Sequence, residues 1–142
     1  MKIRSATPED FGRICELLQQ LWPEKKIDKG GLKTVMIRAL RSSQDIYLCA
    51  EFDGTIAGFC SLAVKNSLWQ EANIGIISEM VVDEAFRKRG IGTALLGTII
   101  DTARQRGCRR IELDSAFHRE AAHRFYAKAG FEKRAYLFSK EL

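Results

Sequence analysis

Proline and histidine are scarce in this chain: two of each among 142 residues. Both prolines, Pro8 and Pro23, fall in the first quarter, so no later helix or strand is broken by one. There are four cysteines, Cys15, Cys49, Cys60 and Cys108, and no two stand at C-x-x-C spacing. With His118 and His123 the only histidines, the spacing expected of a zinc site is missing, and no metal is expected. The thiols read as reduced and buried. Long apolar runs are also missing. None approaches the ~18–20 residues of a membrane span, and Met1 to Pro8 lacks the apolar centre of a signal peptide. A cytoplasmic protein with no membrane partner is the expectation. Internal repeats, low-complexity tracts and linkers are absent, so residues 1–142 read as a single domain.

What is present suits a folded domain. Hydrophobic residues make up 46% and charged residues 29%, enough apolar material for a core. The net charge is +5. That balance favours an anionic partner, either nucleic acid or a phosphate-rich small molecule. Arg104, Arg106, Arg109 and Arg110 could form a phosphate patch. No recognition motif accompanies them and no aromatics interleave, so nucleic acid is not the expected partner.

The apolar periodicity sets the element order. Met1–Ala6 reads as a short strand. Thr7 is an N-cap candidate, with Pro8 at the first helical position. Phe11, Ile14, Leu17, Leu18 and Leu21 then follow helical spacing until Pro23. A second helix begins at Asp28 or Leu32 and runs to Arg41. The period then changes to two. Ile46–Phe52 and Thr55–Val64 form a hairpin around Asp53-Gly54. Asn73–Asp83 is a third strand. Gly90–Arg106 is an amphipathic helix ended by Gly107, and Arg109–Ala116 is a strand. Arg119–Ala129 is a helix, and Phe131–Glu141 is read as one or two closing strands. The order is that of a mixed α/β layered domain.

The informative stretch is Ile77–Leu96, ISEMVVDEAFRKRGIGTALL. A buried strand enters a loop with three basic residues and two glycines, and then a helix starts. Helix N-termini carry unpaired N–H groups and partial positive charge. Glycine lets a ligand approach the backbone. The combination suits a pyrophosphate. G-x-x-x-x-G-K-[ST] is absent, and Leu95 stands where G-x-G-x-x-G requires its last glycine. What remains is R-x-x-G-x-G, formed by Arg87, Gly90 and Gly92. It follows Met80-Val81-Val82, and A-x-x-x-Y-x-x-x-G-F (Ala122, Tyr126, Gly130, Phe131) comes later.

These features resemble the GNAT superfamily of acetyl-CoA-dependent N-acetyltransferases, over essentially the whole chain. The resemblance implies a mostly antiparallel mixed sheet of about six or seven strands, about four flanking helices, and splayed central strands. It implies acetyl-CoA as cosubstrate, with the pantetheine arm along Met80, Val81 and Val82. The pyrophosphate would lie on Arg87, Lys88, Arg89, Gly90, Ile91, Gly92 and Thr93. It implies an amine acceptor and direct attack in a ternary complex. Tyr126 matches the family's usual general acid; a phenol of ordinary pKa near ~10 can donate a proton at neutral pH. Arg119 stands where the family often has an asparagine on the cofactor arm, so that contact is altered.

Glu79 is the leading general base. The family's carboxylate commonly lies one residue earlier, where this chain has Ser78. Adjacent strand residues face opposite sides, so Glu79 reaches the acceptor only if a bulge corrects the phase. Asp114 is the second candidate. Leu21-Trp22-Pro23-Glu24, Asp114 and the ending Phe138-Ser139-Lys140 resemble the aminoglycoside 6′-N-acetyltransferase branch, making Trp22 and Asp114 acceptor-binding candidates. The acceptor expected is a small primary amine, with an aminoglycoside or a protein or peptide amine as alternatives. A non-catalytic acetyl-CoA-binding regulator is the rival outside enzymes. Homodimers are common in the resembled family, and Ala135–Glu141 is a candidate exchange strand.

Overall fold

Arg4 sits at the start of the architecture and ties its first elements together. It lies on β1 (Lys2–Ser5), donates to both carboxylate oxygens of Asp10 at 2.7 and 2.9 Å, and reaches Glu51 at 2.7 Å. Asp10 closes a single 3-10 turn, Pro8–Asp10, and its carboxylate also accepts from the Thr7 N–H at 2.8 Å. The turn runs directly into α1 (Phe11–Leu21), so Thr7 and Pro8 start the helical segment as their chemistry dictates. Trp22 caps α1 at its C-terminus, ahead of Pro23.

The computed structural model describes all 142 residues, which divide into two compact units, 1–112 and 113–142. In the first, α1 is followed by α2 (Lys29–Leu40), whose N-cap Asp28 accepts from the Gly31 N–H at 3.1 Å. Strands β2 (Asp45–Phe52), β3 (Thr55–Ser67) and β4 (Ala72–Val82) form an antiparallel meander. Asp53 and Gly54 both take positive φ, +50° and +75°, which is the tight turn the Asp-Gly pair signals. Helix α3 (Ile91–Gln105) follows β4 and leads into β5 (Cys108–Leu113). The strand order is β1-β2-β3-β4-β5, with β5 reached by the helical crossover that parallel neighbours require.

The sheet is covered on both faces. Cys49, Phe59 and Val81, opposite one another on β2, β3 and β4, join Ile14, Leu17, Leu18 and Met36 of α1 and α2 in one core. The other face receives α3. A Cβ added at Gly58 would come within 2.8 Å of Leu95 and 3.2 Å of Ile91, so glycine there admits the start of α3 onto β3. Ile91, Leu95 and Ile99 are at most 1% exposed.

The second unit contains α4 (Glu120–Lys128). Residues 131–142 form no strand, and the sheet has five strands where six or seven were expected. Apolar periodicity marks residues that can sit on a pleat, but a strand also needs a partner for its N–H and C=O groups. Tyr136, Leu137 and Phe138 are 79%, 69% and 92% exposed. No helix is long and apolar enough to cross a membrane.

Candidate active site

Strand β4 carries an irregularity at one position that decides where its carboxylate points. Ser61 of β3 pairs with Glu79, but the next residue, Leu62, pairs with Ile77. Ser78 is therefore an extra residue in β4, a β-bulge. Without it, Ile77 and Glu79 would share a face. With it, Ile77 stays with Leu62 while Glu79 turns to the face covered by α1 and α2. This is the phase correction that Glu79 needed from the sequence.

The carboxylate is held there. The Ser61 hydroxyl donates to Glu79 Oε1 at 2.6 Å, and the Glu79 N–H donates to Ser61 Oγ at 3.0 Å. Ser61 is 2% exposed. Tyr47, opposite Ser61 on β2, completes a row of three across the sheet. Burial pushes the Tyr47 phenol up to about 12, with the negative charge of Glu79 adding to it. The phenol stays protonated at neutral pH.

This row borders a cavity of about 360 Å³ between the sheet, α1 and α2. Trp22, Met36, Tyr47, Phe59 and Glu79 line it. The rings of Tyr47 and Phe59 meet edge to face at 5.4 Å. Trp22 thus lines the same cavity as Glu79, although one stands at a helix C-terminus and the other in a strand.

The end of β4 leads to the second feature. Val81 and Met80 are buried and Val82 is half-buried. Asp83 pairs with Arg13 of α1 and accepts from the Ala85 N–H at 2.9 Å, starting a 3-10 turn, Glu84–Phe86. Burial would raise the Asp83 carboxyl, but the Ala85 N–H and Arg13 more than offset it and the net shift is downward. The loop therefore leaves β4 from a fixed point. Lys88 and Gly90 then take left-handed conformations, φ +62° and +78°. Gly90 is the N-cap of α3, and no side chain caps that helix. The first helical bond runs from the Ala94 N–H to the Gly90 carbonyl at 3.0 Å. The amides of Ile91, Gly92 and Thr93 precede it, and they are the groups a helix N-terminus leaves for an anion.

The three basic side chains beside those amides have different surroundings. The Arg87 Nε donates back to the Val82 carbonyl at 3.1 Å. The Arg89 guanidinium stacks on Phe52 and Phe86, 5.5 and 5.6 Å from the ring centres. It braces the loop against the β2–β3 hairpin. Lys88 is exposed.

In the second unit, Tyr126 lies on α4 with its ring against Phe125 and Phe131, at 5.4 and 5.7 Å. Arg119 is the N-cap of α4, and Asp114 is exposed in the loop just past β5, which ends at Leu113. Elsewhere, burial pushes the Cys49 and Cys60 thiols up to about 12, so they are unreactive core groups. Ser61, Tyr47 and the Phe52–Arg89–Phe86 stack were not singled out from the sequence. A serine amid the apolar run Phe59-Cys60-Ser61-Leu62 was the one available signal for the first.

Residues 11–131 match the acetyltransferase (GNAT) family. The chain is 32% identical to an aminoalkylphosphonate N-acetyltransferase of Salmonella typhimurium, over 99% of this chain and 91% of that one. It is 26% identical to an aminoglycoside N(6′)-acetyltransferase type 1 of Stenotrophomonas maltophilia, over 92% and 86%. Among solved structures, one titled a transcriptional regulator from Bacillus halodurans shares the fold with a TM-score of 0.90, at 22% identity and 99% coverage of both chains. The chain belongs to the GNAT family of acetyltransferases.

Proposed function

We propose that this protein transfers the acetyl group of acetyl-CoA to the primary amine of a small molecule. The observation that carries the reading is the bulge at Ser78, which turns Glu79 into a cavity on the strand that leads to the uncapped start of α3. One strand thus bears a carboxylate for the acceptor and, past its end, amides suited to a diphosphate.

The residues fit acetyl-CoA by their donor chemistry. The amides of Ile91, Gly92 and Thr93, with Lys88, suit its pyrophosphate; Arg87 and Arg89 contribute charge and brace the loop. The backbone of Met80, Val81 and Val82 would hold the pantetheine arm. Acetyl-CoA supplies an activated thioester. Glu79 accepts the proton that the acceptor ammonium must lose, directly or through water. The free amine would then attack the carbonyl carbon; a C–N bond forms, the C–S bond breaks, and the nitrogen gives up its second proton to water. Tyr126 gives a proton to the departing sulfur, an assignment that rests on its place in the A-x-x-x-Y-x-x-x-G-F motif. Arg119 would touch the cofactor arm, and Asp114 and Trp22 the acceptor.

An aminoglycoside is the second acceptor reading, favoured by Leu21-Trp22-Pro23-Glu24 and by the relative of that activity. Calorimetry with coenzyme A, paired with amide shifts of the ¹⁵N-labelled protein, tests the cofactor site. Micromolar binding that perturbs Ile91, Gly92 and Thr93 is expected. Tight binding that leaves those amides unmoved, or no binding, would refute the reading.

A further inference from the structure

The acceptor cavity is bounded mainly by rings and aliphatic side chains. Trp22 and Leu18 come from α1, Leu32 and Met36 from α2, and Tyr47 and Phe59 from the sheet. Charged groups on its wall are few: Glu79 on β4, and Lys25 and Asp28 in the segment between α1 and α2. Asp28 is already engaged as the N-cap of α2, where it accepts from the Gly31 N–H. Glu79 is held by Ser61 through one oxygen. The cavity thus offers one carboxylate on its sheet wall, surrounded by apolar surface.

Three acceptor chemistries can be compared against this wall. A polycation would bring further ammonium groups against rings and methyls, with only Asp28, one oxygen of which already caps α2, as a second carboxylate. A phosphorylated or phosphonate amine would bring a dianion to a cavity whose one cation is an exposed lysine, close to the charge of Glu79. A monoamine with an apolar body meets the wall on its own terms. Its ammonium faces Glu79, and its body displaces water from the rings. The size agrees. At about 360 Å³ the cavity has room for one ring and a short chain.

We propose that the acceptor is a compact primary monoamine with an apolar, ring-sized body, lodged between Trp22, Met36, Tyr47 and Phe59 with its nitrogen at Glu79. This rests on the acetyl-transfer reading, and the test separates the two. Coenzyme A release from acetyl-CoA is followed with phenethylamine, spermidine, kanamycin, glucosamine 6-phosphate and 2-aminoethylphosphonate. Binding without acetyl-CoA is read from Trp22 emission in a Trp69→Phe background, since the chain has only two tryptophans and Trp69 is 83% exposed. The kcat/KM for phenethylamine is expected to exceed that of every other amine by at least about 10-fold, with phenethylamine quenching or shifting Trp22 emission. Val35→Trp, at a half-exposed position on the cavity wall, should raise the KM for phenethylamine about 10-fold and leave that for acetyl-CoA unchanged. Turnover that favours a polycation or a phosphorylated amine overturns the acceptor class while acetyl transfer stands. An emission change with phenethylamine but no turnover of any amine supports the cavity's ligand class and overturns acetyl transfer. Neither emission change nor turnover overturns both.

Discussion

The Ser61 hydroxyl donates to the Glu79 carboxylate at 2.6 Å while the Glu79 amide donates back to the same oxygen at 3.0 Å. This closed pair spans the bulge at Ser78. It fixes both the backbone and the side chain of the residue assigned as the base. Short O–H···O⁻ bonds of this kind are stronger than neutral ones.

Two substitutions separate the carboxylate from its support. Glu79→Gln keeps the shape and removes the proton acceptor, and kcat should fall by about 10²-fold or more with little change in the KM for acetyl-CoA. Ser61→Ala leaves the carboxylate but frees its rotamer. A smaller loss of kcat, about 3- to 10-fold, is expected, with thermal stability lowered by about 1 kcal/mol. Steady-state kinetics on both variants checks the order. Equal losses would mean that Glu79 acts only through the fold.

The basic loop residues should divide by role. Lys88→Ala removes an exposed charge and should weaken coenzyme A binding several-fold without shifting Tm. Arg89→Ala removes a cation held over Phe52 and Phe86, and should lower stability by about 1 kcal/mol as well as affinity. Calorimetry and a melting curve on each variant suffice. An unchanged Tm for Arg89→Ala would show that its stacking does not brace the loop.

Gly90 is required by its backbone rather than by crowding. Its φ is +78° and nothing lies within 4 Å of an added Cβ. Gly90→Ala should therefore cost about 1 kcal/mol in stability and lower coenzyme A affinity by about 10-fold as the first amides of α3 turn away. Gly54→Ala is the control, at φ +75° and with the same open space. It should cost similar stability and leave affinity intact.

The Arg4–Asp10 pair predicts an acid-sensitive fold. The Arg4 guanidinium, aided by the Thr7 amide, holds the Asp10 carboxyl at about 2, against burial that would raise it. A value lowered on folding contributes stability above the unfolded pKa near 4, and that contribution fades as pH falls toward 2. Its size is about 2 kcal/mol at neutral pH. Asp10→Asn should lose about that much at pH 7 and show a flatter stability profile between pH 4 and 2. Urea titrations at several pH values give the comparison; parallel profiles for the two proteins would show that Asp10 does not set the acid limb.

Much of the molecule was legible as sequence because local chemistry wrote it. Thr7 and Pro8 start the first helical segment, Asp28 caps the second helix, Asp53-Gly54 turns the hairpin, and Gly90 and Gly107 bracket α3. Each depends on a side chain acting on backbone a few residues away, which a linear string records. The loop between β4 and α3 was legible for the same reason: strand, glycines and helix start are contiguous.

Three features were decided only in three dimensions. Whether Glu79 faces the cavity beside α1 and α2 depends on one extra residue in β4, and strand periodicity is blind to a bulge until Ser61 is seen opposite Glu79 and Leu62 opposite Ile77. Ser61 and Tyr47 gain their roles by lying in a row with Glu79 across strands far apart in sequence. Residues 131–142 read as strand because their apolar content allows it, yet they form none, since pairing belongs to a partner strand and not to the segment itself. Short-range backbone chemistry was thus fixed by the order of residues, while side-chain facing and cross-strand company were fixed by which segments meet.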